Sequence, residues 1–154
     1  MIRRIPSLLL VGTLATMGIA APPASAQAGA NDVLMNPNLA TAEDLGGVEG
    51  LSAEAVHAIM QGRPFLRPAD LHAVLADHVA EGDFEALYGR IWVTLNLNDA
   101  SGEEILLIPG VGARMLHEFE EYRPYAALAV FQREMGKYVD DAEVARLSQY
   151  VFVP

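Results

Sequence analysis

The chain contains no cysteine. That absence removes disulfides, thiolate catalysis, cysteine-ligated zinc and iron–sulfur clusters together, so stability must come from packing. Cations are scarce as well: 10 Lys and Arg face 20 Asp and Glu, a formal charge of −10 at pH 7. A chain this acidic is poorly suited to non-specific attraction to phosphate or anionic lipid. There is no Gly-x-Ser-x-Gly elbow, no phosphate loop ending in Gly-Lys-Ser/Thr and no dinucleotide fingerprint. Carboxylates are plentiful, yet none is set apart by its spacing, so the chain is expected to be non-catalytic and to use no cofactor. No metal site is expected either. In His117-Glu118-Phe119-Glu120-Glu121 an acid stands where the zinc pattern His-Glu-x-x-His needs its second histidine.

What is present begins with Arg3-Arg4, an apolar run from Ile5 to Ala21, Pro22-Pro23, and the small residues Ala24-Ser25-Ala26. This is the layout of a secretory signal peptide over residues 1–26, with cleavage after Ala26 and a periplasmic or extracellular destination. An uncleaved membrane anchor is the rival reading. Against it, the run is broken by Pro6, Gly12 and Gly18 and is short beside the roughly 20 apolar residues of a spanning helix. Cleavage removes Arg3 and Arg4, making the mature chain more acidic still. What remains suffices for one ordinary domain or two very small ones.

After a linker at 27–34, residues 35–94 lie over residues 95–154 at an offset of 60 without a gap. Identities fall at Asn36/Asn96, Asn38/Asn98, Ala40/Ala100, Gly50/Gly110, His57/His117 and Arg63-Pro64/Arg123-Pro124. Apolar character is kept at Leu45/Ile105, Val48/Ile108, Ile59/Phe119, Phe65/Tyr125, Leu71/Phe131 and Ile91/Val151. A gapless register with its apolar pattern intact predicts two copies of one fold.

The second copy is the clearer. Ser101 and Glu104 are spaced as a capping box, an idea that Thr41 and Asp44 repeat more weakly. Ile108-Pro109-Gly110-Val111-Gly112 then forms a glycine hairpin in which Gly110 and Gly112 can both take positive φ. From about Ala113, the apolar residues Met115, Leu116, Phe119 and Tyr122 recur at helical spacing, and Arg123-Pro124 ends that helix. A third helix is expected at about Ala126–Met135 and a fourth at about Ala142–Tyr150, entered through Asp140-Asp141, before the extended Val151-Phe152-Val153. The predicted fold is therefore all-α, with about four short helices per copy. A 60-residue unit has a marginal core alone, so the copies are expected to pack together through Trp92 and its neighbours. The asparagine pairs are expected to fix loops by bonding backbone groups.

Three stretches, Leu95-Asn96-Leu97-Asn98-Asp99-Ala100-Ser101, Ile108-Pro109-Gly110-Val111-Gly112 and Tyr122-Arg123-Pro124-Tyr125, resemble the helix-hairpin-helix family. Within it the likeness is to the small exported ComEA-type competence DNA receptors, and more distantly to the extrinsic photosystem II subunit U, which docks on protein. The resemblance covers the second copy and, more faintly, the first. It implies backbone amides that grip duplex phosphates, a role that would fall here on Gly110, Val111, Gly112 and Arg114. Four hairpins are expected: Gly50-Leu51-Ser52, Ala76-Asp77-His78, Gly110-Val111-Gly112 and Gly136-Lys137-Tyr138, of which the third alone keeps both glycines. Between Ile105 and Tyr125 the cations are Arg114 and Arg123, set against Glu118, Glu120 and Glu121. Two expectations follow. The first is a scaffold that docks on a protein partner, and the alternative is a weak, sequence-independent receptor for duplex DNA.

Overall fold

Each half of the chain opens with the same local device. The Asn38 N–H donates to Asn36 Oδ1 at 2.9 Å, and the Asn98 N–H donates to Asn96 Oδ1 at 3.0 Å, so a side chain two residues back closes the turn. Thr41 and Ser101 follow as N-caps. Their hydroxyls accept from the Asp44 and Glu104 N–H groups, and those two carboxylates accept in return from the N–H groups of Thr41 and Ser101 at 2.8 and 2.9 Å. Both are complete capping boxes. In the computed structural model, which describes residues 34–154, they launch α1 (Ala42–Gly46) and α5 (Gly102–Leu106).

The first half continues with α2 (Ala53–Gly62), α3 (Pro68–Leu75) and α4 (Phe84–Tyr88), the last entered through a 3₁₀ turn at Glu81–Asp83. The second continues with α6 (Ala113–Glu121), α7 (Leu128–Met135) and α8 (Asp141–Ser148). The described residues are thus mainly helical. Two boundaries differ from expectation. α7 begins at Leu128 because Ala127 is extended, at φ −164° and ψ 158°. α8 stops at Ser148, and the Tyr150 carbonyl accepts from the Leu95 N–H at 2.9 Å.

That bond marks a departure from a purely helical fold. β1 (Leu95–Asn96) and β2 (Val151–Phe152) pair in parallel, with Leu95 opposite Val151. Met35 and Ile91 form a parallel bridge of the same kind. Leu95, Val151 and Ile91 are buried, and extended backbone in a core has to find partners for its N–H and C=O groups.

After α2 and α6 the peptides Arg63-Pro64 and Arg123-Pro124 are both cis. The residue beyond each proline is held on both sides by an asparagine amide. Asn38 accepts from the Phe65 N–H at 2.8 Å and donates to the Phe65 carbonyl at 2.8 Å, and Asn98 does the same for Tyr125 at 2.7 and 2.9 Å. The arginines turn inward: Arg63 donates to the Ala40 carbonyl at 2.7 Å and Arg123 to the Ala100 carbonyl at 2.9 Å.

One contiguous core runs through both halves. At its centre Trp92 packs edge-on against Tyr88 and Tyr150, with ring centroids 5.4 and 5.3 Å away. Its indole N–H donates to the Tyr150 carbonyl at 2.8 Å, while its backbone N–H donates to the Met35 carbonyl at 2.9 Å. A second tie crosses between α3 and α5. Arg67 donates to both oxygens of Glu104, at 2.9 and 2.5 Å, and to the Asp99 side chain at 2.9 Å. Glu104 is only 3% exposed, and the Arg67 guanidinium holds its carboxyl down to about 2 despite burial.

No helix among the described residues is long and apolar enough to cross a membrane. The signal peptide expected at 1–26, and the expected linker except for Leu34, lie outside the described residues. Leu34 itself packs into the core.

Candidate functional site

The turn at 108–112 is built from its buried ends inward. Ile108 and Val111 are both core residues, and the Val111 N–H donates to the Ile108 carbonyl at 3.0 Å. Between them Gly110 sits at φ +77°, a conformation that side chains resist and glycine adopts freely. Gly112 does not share it. At φ −104° and ψ −179° it is ordinary extended backbone serving as N-cap of α6, so of the two glycines able to take positive φ only Gly110 does. α6 must begin by leaving an extended residue, which any side chain permits.

Of the four expected site residues, Gly110 and Gly112 are exposed, Val111 is buried, and Arg114 is exposed on the first turn of α6. The Arg114 side chain makes no hydrogen bond or ion pair with any described residue, whereas Arg123, the other cation of this stretch, donates to the Ala100 carbonyl through Nη1 and keeps Nε and Nη2 without partners. The turn is also already occupied. Glu85, reaching across from α4, accepts from the Gly110 N–H at 3.2 Å through Oε1. Arg146 of α8 donates to the Pro109 carbonyl at 2.8 Å and is itself clasped by Glu143 at 2.7 and 2.6 Å. Arg146 holds the Glu143 carboxyl below its usual range. Between α4 and the turn lies a cleft of about 370 Å³, walled by Phe84, Glu85, Tyr88 and the turn itself.

The remaining expected hairpins divide into two kinds. Gly50 sits at φ +95°, with the Leu51 N–H on the Val48 carbonyl at 3.2 Å, matching the turn at 110. The stretches at Ala76 and Gly136 do not match it: both residues stay in the right-handed helical region as C-caps of α3 and α7. They lead into turns that join α3 to α4 and α7 to α8 without a residue at positive φ, so of the other three expected hairpin positions only the one at Gly50 has the backbone of the turn at 110.

The histidines are spread out. His72 bonds the Tyr88 hydroxyl through Nδ1 at 2.8 Å and packs on Phe84, whereas His57, His78 and His117 are exposed. Among the described residues no three His, Asp or Glu side chains gather as a metal-ion site.

Three residues that shape this region escaped the sequence reading: Glu85, Arg67 and Arg146. Each acts on a partner 25 to 37 residues away in the chain, and neither helical periodicity nor a motif points to such a pairing. The chain was compared with protein-family models, curated proteins and solved structures, and nothing in any of the three matches it.

Proposed function

We propose that this protein is an exported, non-catalytic binding module of two tandem helix-hairpin-helix units, and that it works by docking on another protein. The observation that carries this reading is the Glu85 carboxylate on the Gly110 N–H. An amide that is to grip a phosphate oxygen must be free to donate, and here an oxyanion of the chain itself already occupies it. The surroundings favour the same reading. Arg114 is the exposed cation at the turn, and Glu120 and Glu121 lie exposed further along α6. Non-specific DNA affinity comes from neutralising several phosphates together. Protein docking is further supported by Leu39 and Leu66, which are 82% and 80% exposed and each follow a member of the bonded pair Asn38–Phe65.

The alternative, weak duplex-DNA binding through Gly110, Val111, Gly112 and Arg114, is favoured by the exposed start of α6, where backbone N–H groups and helix dipole suit an anion. A fluorescence-anisotropy titration of a short duplex decides between them. At physiological salt the expected dissociation constant is weaker than about 10⁻⁴ M, the weak limit for non-specific binders. Binding in the micromolar range that weakens with added salt and with Arg114→Ala overturns the docking reading. For the partner, a photo-cross-linking residue at position 66 should trap a defined protein in the exported fraction, and Leu39→Asp should abolish the adduct. Failure to trap any protein there also counts against docking.

A further inference from the structure

The two halves meet by unlike surfaces. The first offers Arg67, just before α3, and Glu85 of α4, and the second receives them at Asp99, Glu104 and Gly110. Arg67 also donates to the Asp99 carbonyl at 3.1 Å. This is a head-to-tail contact, which between two copies of one fold leaves one head and one tail without a partner. The offset of 60 identifies both. The open head lies in the first half at Leu39, Asp44 and Gly50, and the open tail in the second at Ala127 and Ala145, and all five residues are exposed.

The open head keeps the groups that do the receiving in the second half. Where Glu104 is buried beneath Arg67, Asp44 is exposed and belongs to no ion pair among the described residues. Its Oδ2 accepts from the Thr41 N–H and hydroxyl at 2.8 and 2.7 Å, and its Oδ1 has no partner there. Those bonds hold the carboxyl below its usual range, so it is charged at neutral pH. The Leu39 carbonyl and the Gly50 N–H, counterparts of the groups that take Arg67 and Glu85, have no partner among the described residues either. Leu39 itself stands open where the second half has Asp99.

The open tail has lost its side of the contact. Ala127 stands in place of Arg67 and Ala145 in place of Glu85, while Arg67 itself is spent on the second half. A second copy of this chain therefore has nothing to seat on the head, and a contact that would otherwise run on into filaments is stopped. The described cations other than Arg114 are all engaged within the chain, so an arginine for Asp44 has to come from another protein. Resting on the docking reading above, we propose that the docking surface is this exposed end of the first half, at Leu39, Asp44 and Gly50. Its partner is a protein that presents an arginine beside an apolar side chain, with a carboxylate set from it as Glu85 is from Arg67. The arginine pairs with Asp44 and the Leu39 carbonyl, the apolar group covers Leu39, and the carboxylate takes the Gly50 N–H.

The missing tail supplies the probe. Ala127→Arg with Ala145→Glu rebuilds it at two exposed positions of the full chain, and sedimentation velocity reads the result. The wild-type chain should stay monomeric at millimolar concentration, whereas the double variant should form concentration-dependent head-to-tail chains. Adding Asp44→Asn should weaken that association by at least about tenfold. Ala127→Glu with Ala145→Glu leaves the head untouched and brings no arginine, so it should stay monomeric and keeps the experiment decisive even where Asp44→Asn perturbs the cap. The proposal is overturned if the arginine-bearing double variant stays monomeric at millimolar concentration, or if Asp44→Asn leaves its association unchanged. It is equally overturned if the wild-type chain or the arginine-free control associates as strongly. Each of these failures spares the docking reading itself, which is decided by the duplex titration and the cross-link at position 66.

Discussion

The turns at 48–52 and 108–112 share a backbone and differ in what holds them. Both place a glycine at positive φ, Gly50 at +95° and Gly110 at +77°, and both end in an extended N-cap. In the first, Ser52 caps α2 with its own hydroxyl, which accepts from the Ala55 N–H at 3.1 Å. In the second, Gly112 leaves that position empty. An arginine of the same half reaches each turn, yet from different places: Arg90, in the turn after α4, pairs with the Glu49 side chain at 2.9 Å, and Arg146, within α8, donates to the Pro109 carbonyl. Only the second turn carries a carboxylate from the other half, Glu85. The lesson is that the second glycine of Gly-x-Gly is not needed for the shape. By sequence the first turn looks damaged; by geometry it is the one with the better helix cap.

The strongest way to break the likeness between halves is at the joint they share. Trp92→Ala removes the packed indole and its bond to Tyr150 and should cost about 3–5 kcal/mol. Urea unfolding followed by circular dichroism should then lose its single transition. Next comes Arg67→Ala, which strips Glu104 of its cation and should cost on the order of 2 kcal/mol, a value held down by the partial exposure of the arginine. Its signature is pH dependence. Because the Glu104 carboxyl in the fold is held at about 2, below its ordinary value near 4.5, its contribution is complete above that ordinary value and is lost as pH falls toward 2. In Arg67→Ala the stability–pH slope over that window should flatten.

Smaller effects lie in the two turns. Gly50→Ala and Gly110→Ala should each cost roughly 1–2 kcal/mol for a side chain at positive φ. The two losses should be alike, since the new Cβ would only touch the Arg146 guanidinium at 3.4 Å at 110 and would meet nothing within 4 Å at 50. Smallest is Gly112→Ser, which transplants the Ser52 cap into open space and should stabilise the protein by a few tenths of a kcal/mol. Thermal melts of the three variants in parallel check that ranking.

What the sequence made legible was local. The caps at Thr41 and Ser101, the start of α6 at Ala113, and the stop before Arg123 are decided by residues within a turn of each other, so spacing alone exposes them. The paired apolar positions Leu45/Ile105, Ile59/Phe119, Phe65/Tyr125 and Leu71/Phe131 all lie in the core. Length was harder to read: α7 and α8 came out shorter than periodicity suggested, because Ala127 is extended and Gln149-Tyr150 turn the chain into β2. The candidate site was legible only as a turn. That Gly110 is occupied depends on Glu85, an exposed-looking acid in a helix of five residues, and only the docking of α4 against the second half gives it that partner. Glu118, counted by sequence with Glu120 and Glu121 among the acids of this helix, differs from both in being buried, because α6 turns that side toward Tyr138 and Val139.

The parallel pairing of each half's first and last residues has a consequence for how such a chain could have grown. Met35 meets Ile91, and Leu95 meets Val151, so each sixty-residue stretch begins and finishes at the same spot in space. A segment with that property can be copied in frame and joined to itself through a connector as short as Val93-Thr94, without a new bridge having to be invented. Concatenation costs the architecture almost nothing, and each added copy arrives with its entry and exit already side by side.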